Sequence, residues 1–240
     1  MFGILFPVVT AVAIFYATNA ASSPNAKLEN AAATQKYRTP FTALLLLFVS
    51  AHQWLIPPLG FFYIYLSIAL QNHDNPAIRT TTNLVCPNVS SINPEAFTWS
   101  WTTSSALAAM VLGGALRKEA FAQLESSFTF SLQKPQKLKT DGLYRFMQHP
   151  SYTGALICLW GTGRILLRGD GLLRCLPSRT AALPFTASLG VWALPWLHMF
   201  IWFALFARRI RREEKMLKAE CGEEWLHWHM RTKRLLPGVW

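Results

Sequence analysis

A His-Pro step flanked by two tyrosines makes residues 141–154 (DGLYRFMQHPSYTG) the stretch best suited to binding chemistry. The ring of Pro150 disfavours α-helical geometry at His149 and removes one amide donor. A basic polar run precedes the stretch and an apolar run follows it, so non-helical backbone falls at the mouth of a hydrophobic segment. At membrane depth such backbone is tolerated only where it is buried in protein or lines a cavity. The sequence therefore predicts a binding cavity here.

A second candidate set follows the last apolar run, in RRIRREEKML at residues 208–217. On a helix Arg209 and Glu213 are four residues apart and share a face. Each residue also has a plainer interpretation, because arginines after a span usually anchor topology and Tyr144 and Tyr152 are typical interface aromatics. Taken together, broken backbone and a charged helix at the same membrane depth favour a functional site.

The composition of the chain predicts that these candidate residues are held in place by apolar membrane helices. The chain is 52% hydrophobic and only 15% charged, whereas soluble domains carry about 25% charged residues. Several apolar runs approach the roughly 20 residues that cross a bilayer. The net charge of +11 is concentrated at the ends of these runs, which indicates membrane topology and contact with anionic lipid, not nucleic acid. We therefore predict an all-α, polytopic membrane protein.

We predict about five transmembrane helices, with six as the alternative, at residues 1–20, 41–70, 98–116, 151–167 and 183–207. Pro57 and Pro58 leave open whether 41–70 is one kinked helix or a helical hairpin. Small residues in 98–116, and Gly161-Thr162-Gly163, predict close helix packing. Residues 117–130 have an amphipathic pattern and are expected to lie along the membrane interface.

The distribution of Lys and Arg predicts the topology. The basic 117–150 loop and the C-terminal tail are assigned to the cytosol by the positive-inside rule. The 71–97 loop has a single basic residue and the sequon Asn88-Val89-Ser90, so we predict that it is lumenal. Three arginines in 168–182 fit this topology poorly. The four cysteines are widely scattered without metal-ligand spacing, and we expect neither a disulfide nor a metal site.

The ordered motifs of the C-terminal half resemble those of a known family. They are LRKEAF at 116–121, FTF at 128–130, T-x-G-x-Y with H-P-S-Y-x-G at 140–154, R-I-x-x-E-E-x-x-L at 209–217, CGEEW at 221–225 and RLLPG at 234–238. The combination resembles the isoprenylcysteine carboxyl methyltransferases, which are integral membrane enzymes. The likeness covers about residues 112–240, and the N-terminal spans match only in hydrophobic character. Gln148 stands where the family usually has Arg, and Lys139 replaces an apolar residue.

The resemblance implies S-adenosylmethionine-dependent methyl esterification of the carboxylate of a prenylated C-terminal cysteine in CAAX-processed proteins. It implies an endoplasmic reticulum membrane protein with a cytosolic tail, N-terminal spans in 1–111, and a catalytic region in 112–240 that forms a cytosol-facing cofactor pocket. The expected partners are prenylated proteins and membrane lipid. Arg209 would hold the substrate carboxylate, and the cofactor-binding residues would be Gln133, Gln136, Leu138, Tyr144, His149, Pro150, Ser151, Tyr152 and Glu213.

These residue types suit such a reaction. A prenylcysteine carboxylate is ionised at neutral pH, so its attack on a methyl group needs no general base. It needs alignment and a cation, and an Arg fork holds a carboxylate better than a Lys point charge does. The rival interpretations are a phospholipid N-methyltransferase, an NADPH-dependent sterol reductase and a non-enzymatic membrane scaffold. The first would require a base to deprotonate its ammonium substrate.

Overall fold

The computed structural model describes residues 2–21, 40–124, 138–175 and 190–236, and the regular structure within them is helical. A single isolated bridge, between Met147 and Lys233, is the exception in those residues. The predicted all-α class is confirmed. The α-helices are α1 Phe2–Ala21, α2 Pro40–Gln71, α3 Pro76–Val85, α4 Trp101–Leu124, α5 Pro150–Leu166 and α6 Gly190–Arg231. Short 3-10 turns occupy Val89–Ser91, Pro94–Phe97, Gly142–Arg145 and Leu172–Cys175.

Helix α2 settles one question that the sequence left open. It continues through Pro57 and Pro58 as one helix, so residues 41–70 do not form a hairpin. Within the described part of the chain, α2 is the one helix long and apolar enough to cross a membrane by length and composition, over Ala43–Gln71. Helix α5 has 17 residues, and the predicted fifth span begins in residues that the structure does not describe. The number of spans stays a prediction.

Large apolar side chains remain uncovered on several helices. Trp54 is 78% exposed and Phe61 71% exposed on α2, and Phe200 is 69% exposed on α6. Isolated exposed apolar side chains are ordinary in soluble proteins, but a series of large ones along helices marks a surface for a partner or a membrane. This surface is suited to lipid contact.

Helices α4 and α5 pack backbone against backbone at paired glycines. A Cβ on Gly113 would lie 2.6 Å from the carbonyl oxygen of Gly154, and a Cβ on Gly154 would lie 2.6 Å from that of Gly113. Neither distance is possible for a real Cβ, so the approach requires glycine on both helices. Gly161 likewise meets the backbone of Ala106. The predicted close packing of these small residues is confirmed, and it fixes the start of α5 against α4.

The predicted interfacial helix at 117–130 is corrected in its first half. Residues 117–124 continue α4 without a break, and the remainder lies outside the described residues. Arg117 explains the continuation, because its guanidinium is buried, donates to the carbonyl oxygen of Ser151 at 2.9 Å and lies over the ring of Phe121. Through its contact with α5, the Arg117 side chain holds residues 117–124 against the helix bundle.

The expectation that the chain has no disulfide is wrong. Cys86 and Cys175 are bonded across 89 residues of sequence. Local spacing carries no information about such a pair, because the fold brings the segment after α3 to the turn after α5. The contact is reinforced by Asn93, whose amide donates to the Asp170 carboxylate at 3.0 Å. Arg168, one of the three arginines that fitted the topology poorly, forms an ion pair with the same carboxylate at 2.6 Å.

Thiol counting tests this pairing. We expect a maleimide to label two cysteines, Cys158 and Cys221, in denatured unreduced protein and all four after reduction. In the Cys86→Ser variant Cys175 loses its partner, so three thiols should react without reductant. Mass spectrometry of the labelled protein gives the count directly. Four labelled cysteines in the unreduced wild type would exclude the disulfide.

Candidate active site

The stretch at 141–154 is held against α4 and α6 by hydrogen bonds to its backbone. The amide of Leu143 donates to Oε1 of Gln123 at 2.8 Å, and Nε1 of Trp228 donates to the carbonyl oxygen of Tyr144 at 3.0 Å. Gly142 has φ of +57°, and a Cβ there would collide with the Gln123 side chain. The Tyr144 hydroxyl donates to the carbonyl oxygen of Ala120. Burial, followed by the charge of Glu213, raises the pKa of Tyr144, so its hydroxyl stays protonated.

The predicted non-helical backbone at the His-Pro step is confirmed, and the structure shows what satisfies it. His149 has φ of −128° and ψ of 60°, and α5 begins at Pro150. Residues 232–236, which we name the C-terminal strap, run beside this turn. The amide of Gln148 donates to the carbonyl oxygen of Lys233 at 2.8 Å, and the amide of His149 to that of Arg234 at 2.9 Å. The carbonyl oxygens of the strap therefore take the place of the helical carbonyl oxygens that would otherwise accept hydrogen bonds from these amides.

Gln148, which departs from the family pattern, is part of the same connection. It is 3% exposed, and its amide nitrogen donates to the carbonyl oxygens of Thr232 and His229. Its amide oxygen lies 3.0 Å from Nδ1 of His229. Thr153 adds a further link, because its hydroxyl donates to the carbonyl oxygen of Leu235 at 2.7 Å. Sequence reasoning noted only that Gln148 lacks a cation and did not foresee these bonds.

The two sets of residues predicted to form a site do meet. The Tyr152 hydroxyl donates to Oε2 of Glu213 at 2.9 Å, and Nε of Arg209 lies 3.4 Å from the same hydroxyl. Nδ1 of His149 lies 3.9 Å from Oε1 of Glu213. Arg209 is 5% exposed, so this residue is no solvated topology anchor. Tyr152 thus joins the His-Pro turn to the charged face of α6.

The other predicted contacts are placed differently. Pro150 and Ser151 are buried at the start of α5, where the Ser151 carbonyl accepts from Arg117. Leu138 lies in an apolar cluster with Tyr144, Trp225 and Trp228. Gln133 and Gln136 lie outside the described residues.

Two cavities flank the site without containing the Tyr152–Glu213 pair. One, of about 660 Å³, is lined by polar residues of the turn, α6 and the strap, among them Arg145, Glu224 and Arg231. The other is an apolar groove of about 490 Å³ whose lining includes Leu156, Trp160, Phe203 and Leu235. The groove lies between α5 and α6 and includes Thr153, the residue after Tyr152.

Glu214 is a buried charged residue at the site that sequence reasoning missed. Arg234 of the strap donates to its two carboxylate oxygens at 2.6 and 3.1 Å, and Nε2 of His149 lies 3.6 Å from Oε1. Burial by itself raises the pKa of Glu214, but the His149 ring and the Arg234 fork outweigh it and hold the pKa at about 2. The sequence did contain a possible signal for a second role. Neighbouring residues of a helix point to different sides, so of the two adjacent glutamates only Glu213 shares the face of Arg209.

The Glu214–Arg234 pair predicts a pH-dependent contribution to stability. Because the folded-state pKa of about 2 lies below the ordinary glutamate value of 4.5, the contribution is complete above pH 4.5 and is lost as the pH falls towards 2. We expect Glu214→Gln to lower the midpoint of thermal unfolding at neutral pH, with a difference from wild type that shrinks below pH 4.5. The exposed Glu223→Gln is the matched control. A difference that did not change with pH would contradict the assignment.

Comparisons with known proteins show what the chain is similar to. The family model described as phospholipid methyltransferase matches residues 101–189. Protein-S-isoprenylcysteine O-methyltransferase B of Arabidopsis thaliana is 32% identical over 143 residues, which are 58% of this chain and 61% of that protein. Protein-S-isoprenylcysteine O-methyltransferase of Schizosaccharomyces pombe is 28% identical over 145 residues, 59% of this chain and 52% of that protein. The chain thus spans between half and two thirds of these relatives.

A solved structure was also compared. The eukaryotic intramembrane Ras methyltransferase ICMT aligns with 84% of this chain and 69% of its own at 19% sequence identity, with a TM-score of 0.47. That likeness is too distant to carry an argument. The sequence comparisons show that the chain is similar to a helical class of proteins that includes phospholipid methyltransferases and protein-S-isoprenylcysteine O-methyltransferases. These relatives agree with the resemblance found in the motifs.

Proposed function

We propose that this protein transfers a methyl group from S-adenosylmethionine to the C-terminal carboxylate of a prenylated cysteine. The observation that carries the proposal is the Tyr152 hydroxyl, which lies between the Glu213 carboxylate and the Arg209 guanidinium beside the His-Pro turn. A carboxylate and a guanidinium at one point can hold a cationic methyl donor and an anionic acceptor next to each other. The sequence relatives act as independent support, since their names describe this reaction.

The residues around the turn fit a polar, cationic cofactor. Nε2 of His149 is buried and makes no hydrogen bond among the described residues, and its ion-pair partner, Oε1 of Glu214, lies 3.6 Å away. A polar ligand group can complete its hydrogen bonding. Glu213 is only partly buried and offers a carboxylate oxygen 3.9 Å from Nδ1 of the same ring. We assign cofactor binding to His149, Tyr152 and Glu213, with the buried Tyr144, Pro150 and Ser151 shaping the turn that holds them. Leu138 packs in the same apolar cluster as Tyr144, and we propose it as an apolar cofactor contact. S-adenosylmethionine would supply an electrophilic methyl group carried on a sulfonium centre.

Arg209 is proposed to hold the substrate carboxylate. Its guanidinium is buried, which strengthens its attraction for an anion relative to water. The carboxylate oxygen would supply the electron pair for the new bond to the methyl carbon, while the bond from that carbon to the donor sulfur breaks and leaves its electron pair on sulfur. No proton has to be removed because the acid is already ionised. Alignment is therefore the main demand on the protein. Tyr152 meets this demand by tying the Arg209 and Glu213 side chains to one hydroxyl.

The apolar groove next to Tyr152 suits the prenyl chain of the substrate. Its lining is almost entirely hydrocarbon and aromatic, and it runs along α5 and α6 away from the charged pair. Burial of a farnesyl chain there would contribute about 0.8 kcal/mol for each buried methylene-sized unit. The carboxylate at the end of such a chain would lie on the side of the groove where Thr153 meets the strap.

The proposed setting is the endoplasmic reticulum membrane. We propose about five spans, a site that faces the cytosol, and a division into N-terminal spans (1–111) and a catalytic region (112–240). The exposed apolar side chains of α2 and α6 support membrane embedding. The tail helix and strap supply Arg209, Glu213 and Arg234 to one end of α5, in agreement with a C-terminal region that forms the cofactor pocket. Prenylated proteins and lipid are the proposed partners.

A two-substrate assay tests the function. Purified protein in detergent or lipid is incubated with labelled S-adenosylmethionine and either N-acetyl-farnesylcysteine or phosphatidylethanolamine. We expect base-labile methyl ester on the first substrate. Label on phosphatidylethanolamine alone would support the phospholipid N-methyltransferase that the family model's description suggests, and would reject the carboxylate proposal.

The variant Arg209→Lys tests the carboxylate role. Losing the bidentate fork should lower kcat/KM for N-acetyl-farnesylcysteine roughly 10- to 100-fold, because a hydrogen bond to a charged group contributes about 1.5–3 kcal/mol. The Kd for S-adenosylmethionine, measured by calorimetry, should stay near the wild-type value. Arg211→Lys, at an exposed position two residues away, is the matched control and should leave both quantities unchanged. Wild-type turnover in Arg209→Lys would show that another residue holds the carboxylate.

A further inference from the structure

We propose that Asn88 carries an N-linked glycan, on the face of the protein opposite the candidate active site. The sequence Asn88-Val89-Ser90 is an acceptor sequon with no proline at its middle position. Such a sequence occurs often by chance, so the sequon alone decides nothing. Three structural observations select it: the oxidised cysteine pair beside it, its place relative to the site, and the exposure of the acceptor segment.

The disulfide indicates which compartment this segment occupies. Cys86 lies two residues before Asn88 and is bonded to Cys175. Disulfides form and persist in the lumen of the endoplasmic reticulum and are rare on the cytosolic side, where thiols are kept reduced. The lumen is also where N-linked glycans are attached. The disulfide thus supports the lumenal placement of the 71–97 loop that the charge distribution predicts, in the compartment that holds the glycosylation machinery.

The orientation of α5 separates this face from the site. His149 and Tyr152 lie at the beginning of α5, whereas Cys175 follows its last residues. Seventeen helical residues extend roughly 25 Å at 1.5 Å per residue, which is close to the hydrocarbon thickness of a bilayer. A cytosolic candidate site and a lumenal disulfide are therefore mutually consistent. Reversal of the protein would put the disulfide in the reducing compartment.

The acceptor segment is accessible in the folded protein. Asn88 is partly exposed and Ser90 is exposed, at the 3-10 turn Val89–Ser91. Val89 of the same turn packs against the apolar core. The exposure of Ser90 and the partial exposure of Asn88 leave the acceptor segment open to modification.

The covalent step needs a glycosyl donor and transferase from the host membrane. In this step Nδ2 of Asn88 forms a bond to the anomeric carbon of a lipid-diphosphate-linked oligosaccharide. The bond from that carbon to the diphosphate oxygen breaks, and the lipid diphosphate leaves with the electron pair. The amide proton passes to a base of the oligosaccharide transferase. The Ser90 hydroxyl completes the recognition element.

The test is expression of the full chain in eukaryotic membranes, followed by digestion with peptide-N-glycosidase F. We expect the wild type to show one downward mobility shift on digestion. Asn88→Gln and Ser90→Ala should migrate at the digested position with or without enzyme, whereas Ser90→Thr keeps the sequon and should keep the shift. Two different substitutions remove the sequon. Loss of the shift in both variants is therefore not explained by a folding defect in one of them.

A sequon on the other face completes the test. The double variant Lys218→Asn with Glu220→Thr creates an acceptor at exposed positions of α6, near the candidate site. In an Asn88→Gln background this variant should stay unmodified. Modification there would reverse the orientation and overturn the proposal. Wild-type protein without an enzyme-sensitive shift would overturn it as well.

Discussion

The hydrogen bonds between the C-terminal strap and the His-Pro turn are the constraint on which the site depends. Pro150 prevents the preceding residues from being helical, yet Gln148 and His149 are buried, and buried amides without partners are costly. The carbonyl oxygens of Lys233 and Arg234 provide those partners. Without the strap the turn would have to refold or admit water. The strap therefore determines the geometry of a motif more than eighty residues earlier in the sequence.

The same strap links the turn to the charged face of α6. Arg234 donates to both oxygens of Glu214, and the His149 ring lies near the two glutamates, so one histidine contacts both partners of the site. Glu213 faces Tyr152 and Arg209, while Glu214 faces the strap. Two adjacent carboxylates thus have different tasks. One is available for binding, and the other holds the scaffold together.

The far end of α5 is fixed by different means. Glycine-lined packing against α4 sets the axis of α5, and the Cys86–Cys175 bond ties the 3-10 turn that follows α5 to the end of α3. Contacts at both ends of α5 therefore separate the candidate site, at the start of the helix, from the disulfide beyond its end. A disulfide and a sequon at this far end fit an oxidising compartment, and the polar site fits the opposite side.

The sequence by itself determined the helical class, the packing role of the small residues, the broken backbone at His149 and the resemblance to a methyltransferase family. Each of these follows from local periodicity, side-chain size, a proline ring or an ordered motif, so no distant contact was needed. Only the tertiary structure decided the disulfide, the continuation of α4 through Arg117, the roles of Gln148 and Glu214, and the meeting of Tyr152 with Arg209 and Glu213. These features join residues far apart in sequence, and their energies come from burial and hydrogen bonding that exist only after the helices have packed.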